Sequence, residues 1–146
     1  MAGPENSATQ DASAAPWRRP RLGFVGLGWI GAQRMKALAD SGAAEIVALS
    51  DTAGDAARAA SLQAPSATVA PDIETLLACD LDGAVIATPT ALHAVQAISF
   101  LGSGVAVFCQ KPLGRSAAET AQVITAAPPT ACWPSTCPTA LSEPPA

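Results

Sequence analysis

The chain has 146 residues, of which 49% are hydrophobic and 14% are charged, a composition that fits one globular domain with tails. Its net charge of −4 gives no reason to expect a nucleic-acid partner. No apolar run approaches the ~20 residues that a membrane-spanning helix needs, so a membrane protein is not predicted either.

Cysteine and histidine usage also limits the chemistry. The four cysteines form no Cys-x-x-Cys pair, and one histidine cannot complete a zinc site of the usual pattern. No metal site is predicted, and the thiols are typical of a reducing compartment. Residues 1–16 lack the charged start and apolar middle of a signal peptide, and Arg18-Arg19 precedes a stretch that belongs to the predicted domain itself. We therefore expect a cytoplasmic protein.

The first regular unit follows a tail, residues 1–20, whose Ala, Ser and Pro content predicts disorder. The apolar run 22–25 predicts a buried strand, and residues 26–31 then supply three glycines. A helical pattern over 32–40 leads to a second apolar run, 45–49, which ends at Ser50-Asp51. Strand, glycine turn, helix, strand and acid in this order are typical of a dinucleotide-binding unit.

Each part of this unit has a physical task. Gly26 allows the tight turn out of the strand, Gly28 lets the backbone approach a pyrophosphate, and Gly31 lets the helix pack closely on the sheet. The helix N-terminus offers free N–H groups to the phosphates. Asp51 can accept hydrogen bonds from the adenosine ribose, which favours NAD, with NADP as the alternative. The competing interpretation is a ligand-free turn in which Asp51 caps the next helix.

The rest of the chain continues the alternation of helices and strands. Further helices are predicted at 52–63, 72–77, 92–101 and 116–126, and further strands at 68–70, 84–87 and 105–109. This alternation predicts an α/β fold, a Rossmann-type doubly wound parallel sheet. The predicted domain is 21–126, followed by an irregular Pro-rich tail at 127–146.

Two more segments follow predicted strands and would reach the same edge of the sheet. Thr88 and Pro89 leave the fourth strand, and His93 lies one helical turn further on. His93 is more often a local hydrogen-bonding or packing residue than a ligand contact. Gln110 and Lys111 leave the fifth strand; the lysine could donate to a substrate oxygen or move a proton, or it could be an ordinary surface lysine.

Taken together, the glycine turn, the Thr-Pro-x-x-x-His segment and the Lys-Pro segment resemble the N-terminal half of the glucose–fructose oxidoreductase/inositol dehydrogenase (Gfo/Idh/MocA) family. The resemblance covers about residues 21–126 and implies NAD(P)-dependent hydride transfer at a sugar or polyol carbon. It implies that Lys111 is the catalytic lysine. The implied cofactor-binding residues are Gly26, Gly28, Trp29, Ile30, Gly31, Asp51, Thr88, Pro89, His93 and Gln110.

This sequence departs from the family pattern in two places. Gln110 stands where the family usually has Glu, which removes a charge beside the lysine. From residue 127 the sequence has no helical or strand period, and neither a sixth strand nor a second, substrate-binding domain follows. We interpret this tail as a truncated or out-of-frame end.

Such an end makes the activity of the chain alone uncertain. It leaves a non-catalytic dinucleotide-binding remnant or a nucleotide-sensing module as alternatives to an active oxidoreductase. In the usual strand order 3-2-1-4-5-6, the fifth strand would become an exposed, apolar edge. A homo-oligomer or a partner chain covering that edge is therefore expected.

Overall fold

The computed structural model describes residues 18–128, and most of both predicted tails lies outside them. The strands are β1 (Arg21–Val25), β2 (Glu45–Ser50), β3 (Thr68–Val69), β4 (Gly83–Ile86) and β5 (Ala106–Cys109). The helices are α1 (Trp29–Ser41), α2 (Gly54–Ser61), α3 (Ile73–Leu77), α4 (Thr90–Gly102) and α5 (Ala117–Ala126). No helix in this part of the chain is long and apolar enough to cross a bilayer.

All five strands pair in parallel, in the order β3-β2-β1-β4-β5. The predicted fold class, a Rossmann-type doubly wound sheet, is confirmed. Strand order reverses at β1, between β2 and β4, so a crevice opens there at the carboxyl ends of the strands. The described sheet ends at β5.

Two hydrophobic cores lie on opposite faces of the sheet because successive strand residues point in opposite directions. Phe24 of β1 packs with α1 and α2, and its neighbour Val25 packs with α3, α4 and α5. Phe24, Met35 and Phe100 are completely buried. The strands therefore form a rigid platform whose carboxyl edge carries the predicted site residues.

Helix ends differ from the predicted ones for local reasons. Helix α1 begins three residues early, at Trp29, because Gly28 already acts as its N-cap. Helix α2 begins two residues late, at Gly54, because the Asp51 carboxylate accepts a hydrogen bond from the Ala53 N–H and holds residues 51–53 outside the helix. Helix α4 runs from Thr90 to Gly102, so it begins two residues before the predicted range 92–101 and ends one residue after it.

Residues before the predicted boundary at residue 21 already contact the domain. The Arg18 guanidinium makes two hydrogen bonds to the Asp82 carboxylate, at 2.6 and 2.7 Å. The Arg21 N–H donates to the same carboxylate at 2.7 Å. The Arg21 N–H and then Arg18 hold the pKa of Asp82 below its ordinary value. These contacts join the segment that leads into β1 to the turn that precedes β4.

An apolar groove of about 570 Å³ runs beside the β4–β5 edge. It lies on the sheet face that carries α1, whereas α4 and α5 pack against the opposite face. Its lining is Leu22, Arg34, Ala37, Leu38, Gly83, Ala84, Val85, Ala106, Val107 and Phe108. Phe108 is 58% exposed, so apolar surface remains open at this end of the described sheet.

Candidate dinucleotide site

A cleft of about 920 Å³ opens at the carboxyl ends of the strands, a size within the range of cofactor pockets. Its lining comes from the segments that follow four of the strands and from the start of α4. The lining residues are Val25, Gly26, Gly28, Ser50, Asp51, Thr52, Pro71, Asp72, Ile73, Glu74, Ala87, Thr88, Pro89, Leu92 and Gln96. The structure thus brings five of the predicted residues together: Gly26, Gly28, Asp51, Thr88 and Pro89.

The glycine turn is shaped by backbone contacts that a side chain would prevent. Gly26 has φ +85°, and a Cβ on it would lie 2.6 Å from the Ala87 carbonyl carbon. A Cβ on Gly31 would lie 1.9 Å from the Gly26 carbonyl oxygen. By contrast, nothing lies within 4 Å of a Cβ on Gly28. Two glycines therefore serve the fold, while Gly28 leaves open space on the cleft side.

The N-terminus of α1 faces that open space without a side-chain cap. The first hydrogen bond of the helix is donated by the Ala32 N–H to the Gly28 carbonyl. The preceding amides, of Trp29, Ile30 and Gly31, are therefore not used within the helix. Neither Trp29 nor Ile30 lines the cleft with its side chain, and Trp29 is 79% exposed. Any contact of these residues with a phosphate would use the backbone.

Asp51 supports the glycine turn as well as lining the cleft. One carboxylate oxygen accepts from the Leu27 N–H at 2.5 Å, and the other accepts from the Ala53 N–H at 2.7 Å. The carboxylate is half-buried and keeps further acceptor positions for a ribose hydroxyl. Asp51 is not the N-cap of α2, because that position belongs to Ala53.

The cleft around Asp51 is acidic. Asp72 and Glu74 also line it, and none of its lining residues is Arg or Lys. Asp72 is the N-cap of α3 and accepts from the Thr75 N–H at 2.7 Å. That hydrogen bond holds the pKa of Asp72 below its ordinary value, so the carboxylate is ionised at neutral pH.

On the β4 side, Thr88 is oriented by a residue that sequence reasoning missed. The Thr88 hydroxyl donates to the Gln96 Oε1 at 2.6 Å, so toward a ligand the hydroxyl oxygen remains an acceptor. Gln96 is 9% exposed. The sequence signal that could have found Gln96 is a polar residue among the apolar positions of α4, three residues after His93.

His93 is 1% exposed and does not line the cleft. Its Nε2 lies 2.7 Å from the Thr88 carbonyl oxygen, and its Nδ1 lies 2.7 Å from the Pro112 carbonyl oxygen. These contacts favour the local hydrogen-bonding role that was the alternative for this residue. They also tie the end of β4 to the segment after β5.

Gln110 and Lys111 lie at the end of β5, outside the cleft lining. The Gln110 N–H donates to the Ile86 carbonyl at 2.8 Å, which fixes this segment beside the end of β4. The Gln110 side chain accepts a hydrogen bond from Arg34, whose guanidinium lies 5.1 Å from the centre of the Phe108 ring. Lys111 is exposed. Arg34 was also missed, because its partners are remote in sequence.

Comparison with known proteins decides the family. Residues 20–133 match the model of the Gfo/Idh/MocA group, described as an oxidoreductase family with an NAD-binding Rossmann fold. This match covers more than half of the chain. The chain belongs to the Gfo/Idh/MocA oxidoreductase family. The resemblance inferred from the glycine turn and the two later segments is confirmed, and the described domain is the NAD(P)-binding Rossmann domain of that family.

Individual Gfo/Idh/MocA relatives are much longer than this chain. It is 30% identical to the scyllo-inositol 2-dehydrogenase (NADP(+)) of Bacillus subtilis over 73% of its own length and 33% of the relative. It is 37% identical to the inositol 2-dehydrogenase of Rhizobium meliloti, over 64% and 28% respectively. The WlbA dehydrogenase of Bordetella pertussis, solved with NADH and UDP-GlcNAcA, superposes with a TM-score of 0.71 at 32% identity, over 75% and 33%. The chain spans about a third of the length of these relatives.

Proposed function

We propose that this domain binds NAD(H) along the carboxyl edge of its sheet, in support of hydride transfer to or from a sugar or polyol. The observation that carries the proposal is that Gly28 lies directly before the N-terminus of α1. Open space lies over Gly28, and the unused first-turn amides of α1 offer donors for a pyrophosphate there. Asp51, across the turn, then accepts from the adenosine ribose. The nicotinamide end of the dinucleotide extends toward Thr88 and Pro89.

Within this proposal Lys111 is the catalytic residue. It directly follows Gln110, whose backbone bonds to the end of β4, so a lysine ammonium is available beside the nicotinamide end of the cleft. There it donates a hydrogen bond to the oxygen of the carbon that gains or loses hydride.

Support for a sugar or polyol substrate comes from the relatives, whose names specify inositol dehydrogenases, and from the UDP-sugar in the WlbA complex. We also propose a reducing, cytoplasmic location, in which Cys79 and Cys109, unbridged within residues 18–128, would stay as thiols.

We expect NADH to bind more tightly than NADPH, by roughly tenfold or more, or at least about 1.4 kcal/mol. A 2′-phosphate would approach the carboxylates of Asp51, Asp72 and Glu74, and a like-charge contact at 4 Å costs about 1 kcal/mol even in water. Titration of the chain with each dinucleotide, followed by nicotinamide fluorescence, measures the ratio. Equal affinities would contradict the NAD preference, and the absence of binding by either would contradict the proposed function.

A cation added beside Asp51 provides the matched test of this explanation. Thr52 lines the cleft and is exposed, so Thr52→Arg leaves the two hydrogen bonds of Asp51 intact. This variant should narrow the gap between NADH and NADPH. The same substitution at the exposed Thr125 of α5, which does not line the cleft, adds equal charge and should leave the ratio unchanged.

A second candidate function is dinucleotide binding without catalysis. It is favoured by the position of Lys111, which is exposed and lies outside the residues that line the cleft. A nucleotide-sensing module or a remnant would bind NADH yet turn over neither sugars nor inositols. Turnover that Lys111→Met abolishes, while NADH affinity stays the same, would establish the catalytic function.

We also propose that a second copy of the chain covers the apolar groove and the β5 edge at which the described sheet ends. Unpaired edge strands and exposed apolar surface favour association. Sedimentation velocity should therefore show association that grows with protein concentration. Ala106→Lys, a charge on the edge strand itself, should weaken it, whereas Ala118→Lys on α5 should not. A monomer over the whole concentration range would contradict this proposal.

A further inference from the structure

His93 joins two segments that belong to different strands. Its two ring nitrogens lie 2.7 Å from the carbonyl oxygens of Thr88 and Pro112. Thr88 follows β4 and lines the cleft, and Pro112 directly follows Lys111. The ring is fully buried, so water does not compete for either contact. Besides the backbone hydrogen bond from Gln110 to Ile86, this side chain therefore joins the cleft wall to the lysine segment.

The chemistry of the two partners makes this connection sensitive to protons. A carbonyl oxygen only accepts hydrogen bonds, and a neutral imidazole has one N–H donor and one lone pair. With one proton the ring bonds one carbonyl and directs its lone pair at the other, which weakens that second contact. With two protons it donates to both. The two contacts of His93, here called the clamp, are therefore both hydrogen bonds only when the ring carries two protons.

We propose that His93 is a positioning residue for Lys111, and that protonation of both its ring nitrogens tightens the hold of the Lys111–Pro112 segment on the end of β4. The proposal rests on the proposed function only for the catalytic use of Lys111; the clamp itself is independent of any ligand. In the two-donor form Lys111 is held in register with Thr88. In the one-donor form one of the two carbonyl contacts loosens and the lysine segment gains freedom.

Among residues 18–128, few other charged and titratable groups lie on the elements around the clamp. Helix α4 carries none besides His93, and the last strand contributes Cys109 at its end. The segment after β5 contributes Lys111 and Arg115, and α5 contributes Glu119. Arg115 and Glu119 pair with each other at 2.5 Å. Burial raises the pKa of Cys109, so its thiol stays neutral at the pH values at which an imidazole ordinarily titrates.

The composition of the chain makes the test direct, because it has one histidine and two lysines, Lys36 and Lys111. The lysines are reductively methylated with ¹³C-formaldehyde, and the ring nitrogens of His93 are followed by ¹⁵N NMR in the same protein, without cofactor. Lys36→Arg and Lys111→Arg variants assign the two lysine signals. We expect the Lys111 signal to broaden and shift as the imidazole loses its second proton, on the same titration curve as the ¹⁵N signals.

Lys36 is the internal control, since it is exposed on α1 and pairs with Asp40 of the same helix, so its signal should not follow the protonation of His93. In His93→Gln the coupled change at Lys111 should disappear. Because the wild-type titration alone tests the coupling, the proposal stays testable even if this variant folds poorly. The proposal would be overturned if the Lys111 signal did not change when His93 is protonated, or if it changed no more than the Lys36 signal. Since no dinucleotide is present, a failure of NADH to bind would leave this result unaffected.

Discussion

Replacement of Gly31 by alanine should destabilise the domain by about 3 kcal/mol, the upper end of the usual cost of overpacking. The added Cβ would lie 1.9 Å from the Gly26 carbonyl oxygen and 2.9 Å from the Gly26 carbonyl carbon. Both are backbone atoms of the tight turn, so relief requires α1 to move away from the sheet. The midpoint of urea unfolding, followed by circular dichroism, measures the loss.

Gly102→Ala is the matched control for this substitution. Gly102 is the last residue of α4, and nothing lies within 4 Å of a Cβ placed there. Alanine is the better helix former by up to about 1 kcal/mol, so this variant should be as stable as the wild type or slightly more stable. If Gly31→Ala unfolds at the same urea concentration as Gly102→Ala, the close packing of α1 on the glycine turn is refuted.

Gly28→Ala should have the opposite pattern, with a large effect on binding and a small one on folding. Its Cβ meets no atom of the domain within 4 Å, so the cost in stability should stay below about 1 kcal/mol, the typical loss for alanine at an N-cap. The same methyl group would occupy the space in which we place the pyrophosphate. NADH affinity should therefore fall by roughly tenfold or more, or at least about 1.4 kcal/mol.

The comparison between Gly28→Ala and Gly102→Ala separates a blocked site from a disturbed fold. Both variants add one methyl group at a glycine with open surroundings, and only the first lies at the cleft. Calorimetric titration with NADH gives both affinities. Unchanged binding by Gly28→Ala would mean that the dinucleotide does not approach the backbone at this turn.

Asp51→Ala is a less informative variant than the sequence suggests. From the sequence, Asp51 is a ribose acceptor whose removal tests the adenosine side alone. In the structure the same carboxylate also accepts hydrogen bonds from the Leu27 and Ala53 N–H groups. Its loss would leave two backbone donors unpaired and disturb the glycine turn. Thr52→Arg avoids this difficulty because it leaves Asp51 in place.

The sequence was sufficient for the fold because the signals for it are local. Short apolar runs alternating with helical patterns require a parallel sheet, and the glycine spacing locates its first turn. The same runs placed Gly26, Asp51 and Thr88 at one edge, because each directly follows a strand. Helix ends were less predictable: the start of α2 depends on a hydrogen bond from Ala53 to Asp51 that competes with the helix.

The residues that sequence reasoning missed act through contacts between remote segments. Arg34 bonds the side chain of Gln110, and Gln96 orients the hydroxyl of Thr88; nothing in the local pattern pairs them. His93 was recognised as a local hydrogen-bonding candidate, but its second partner, the Pro112 carbonyl, lies beyond the next strand. Such pairings follow only from the strand order and the packing of α1 and α4.

The most direct test of the whole account is the amide ¹H–¹⁵N spectrum of the chain recorded with and without NADH. We predict saturable shifts that are largest for Gly28 and the first amides of α1, with further shifts at Asp51 and Thr88 along the same edge. An unchanged spectrum at high NADH concentration, or shifts confined to the groove beside β5, would contradict the placement of the dinucleotide.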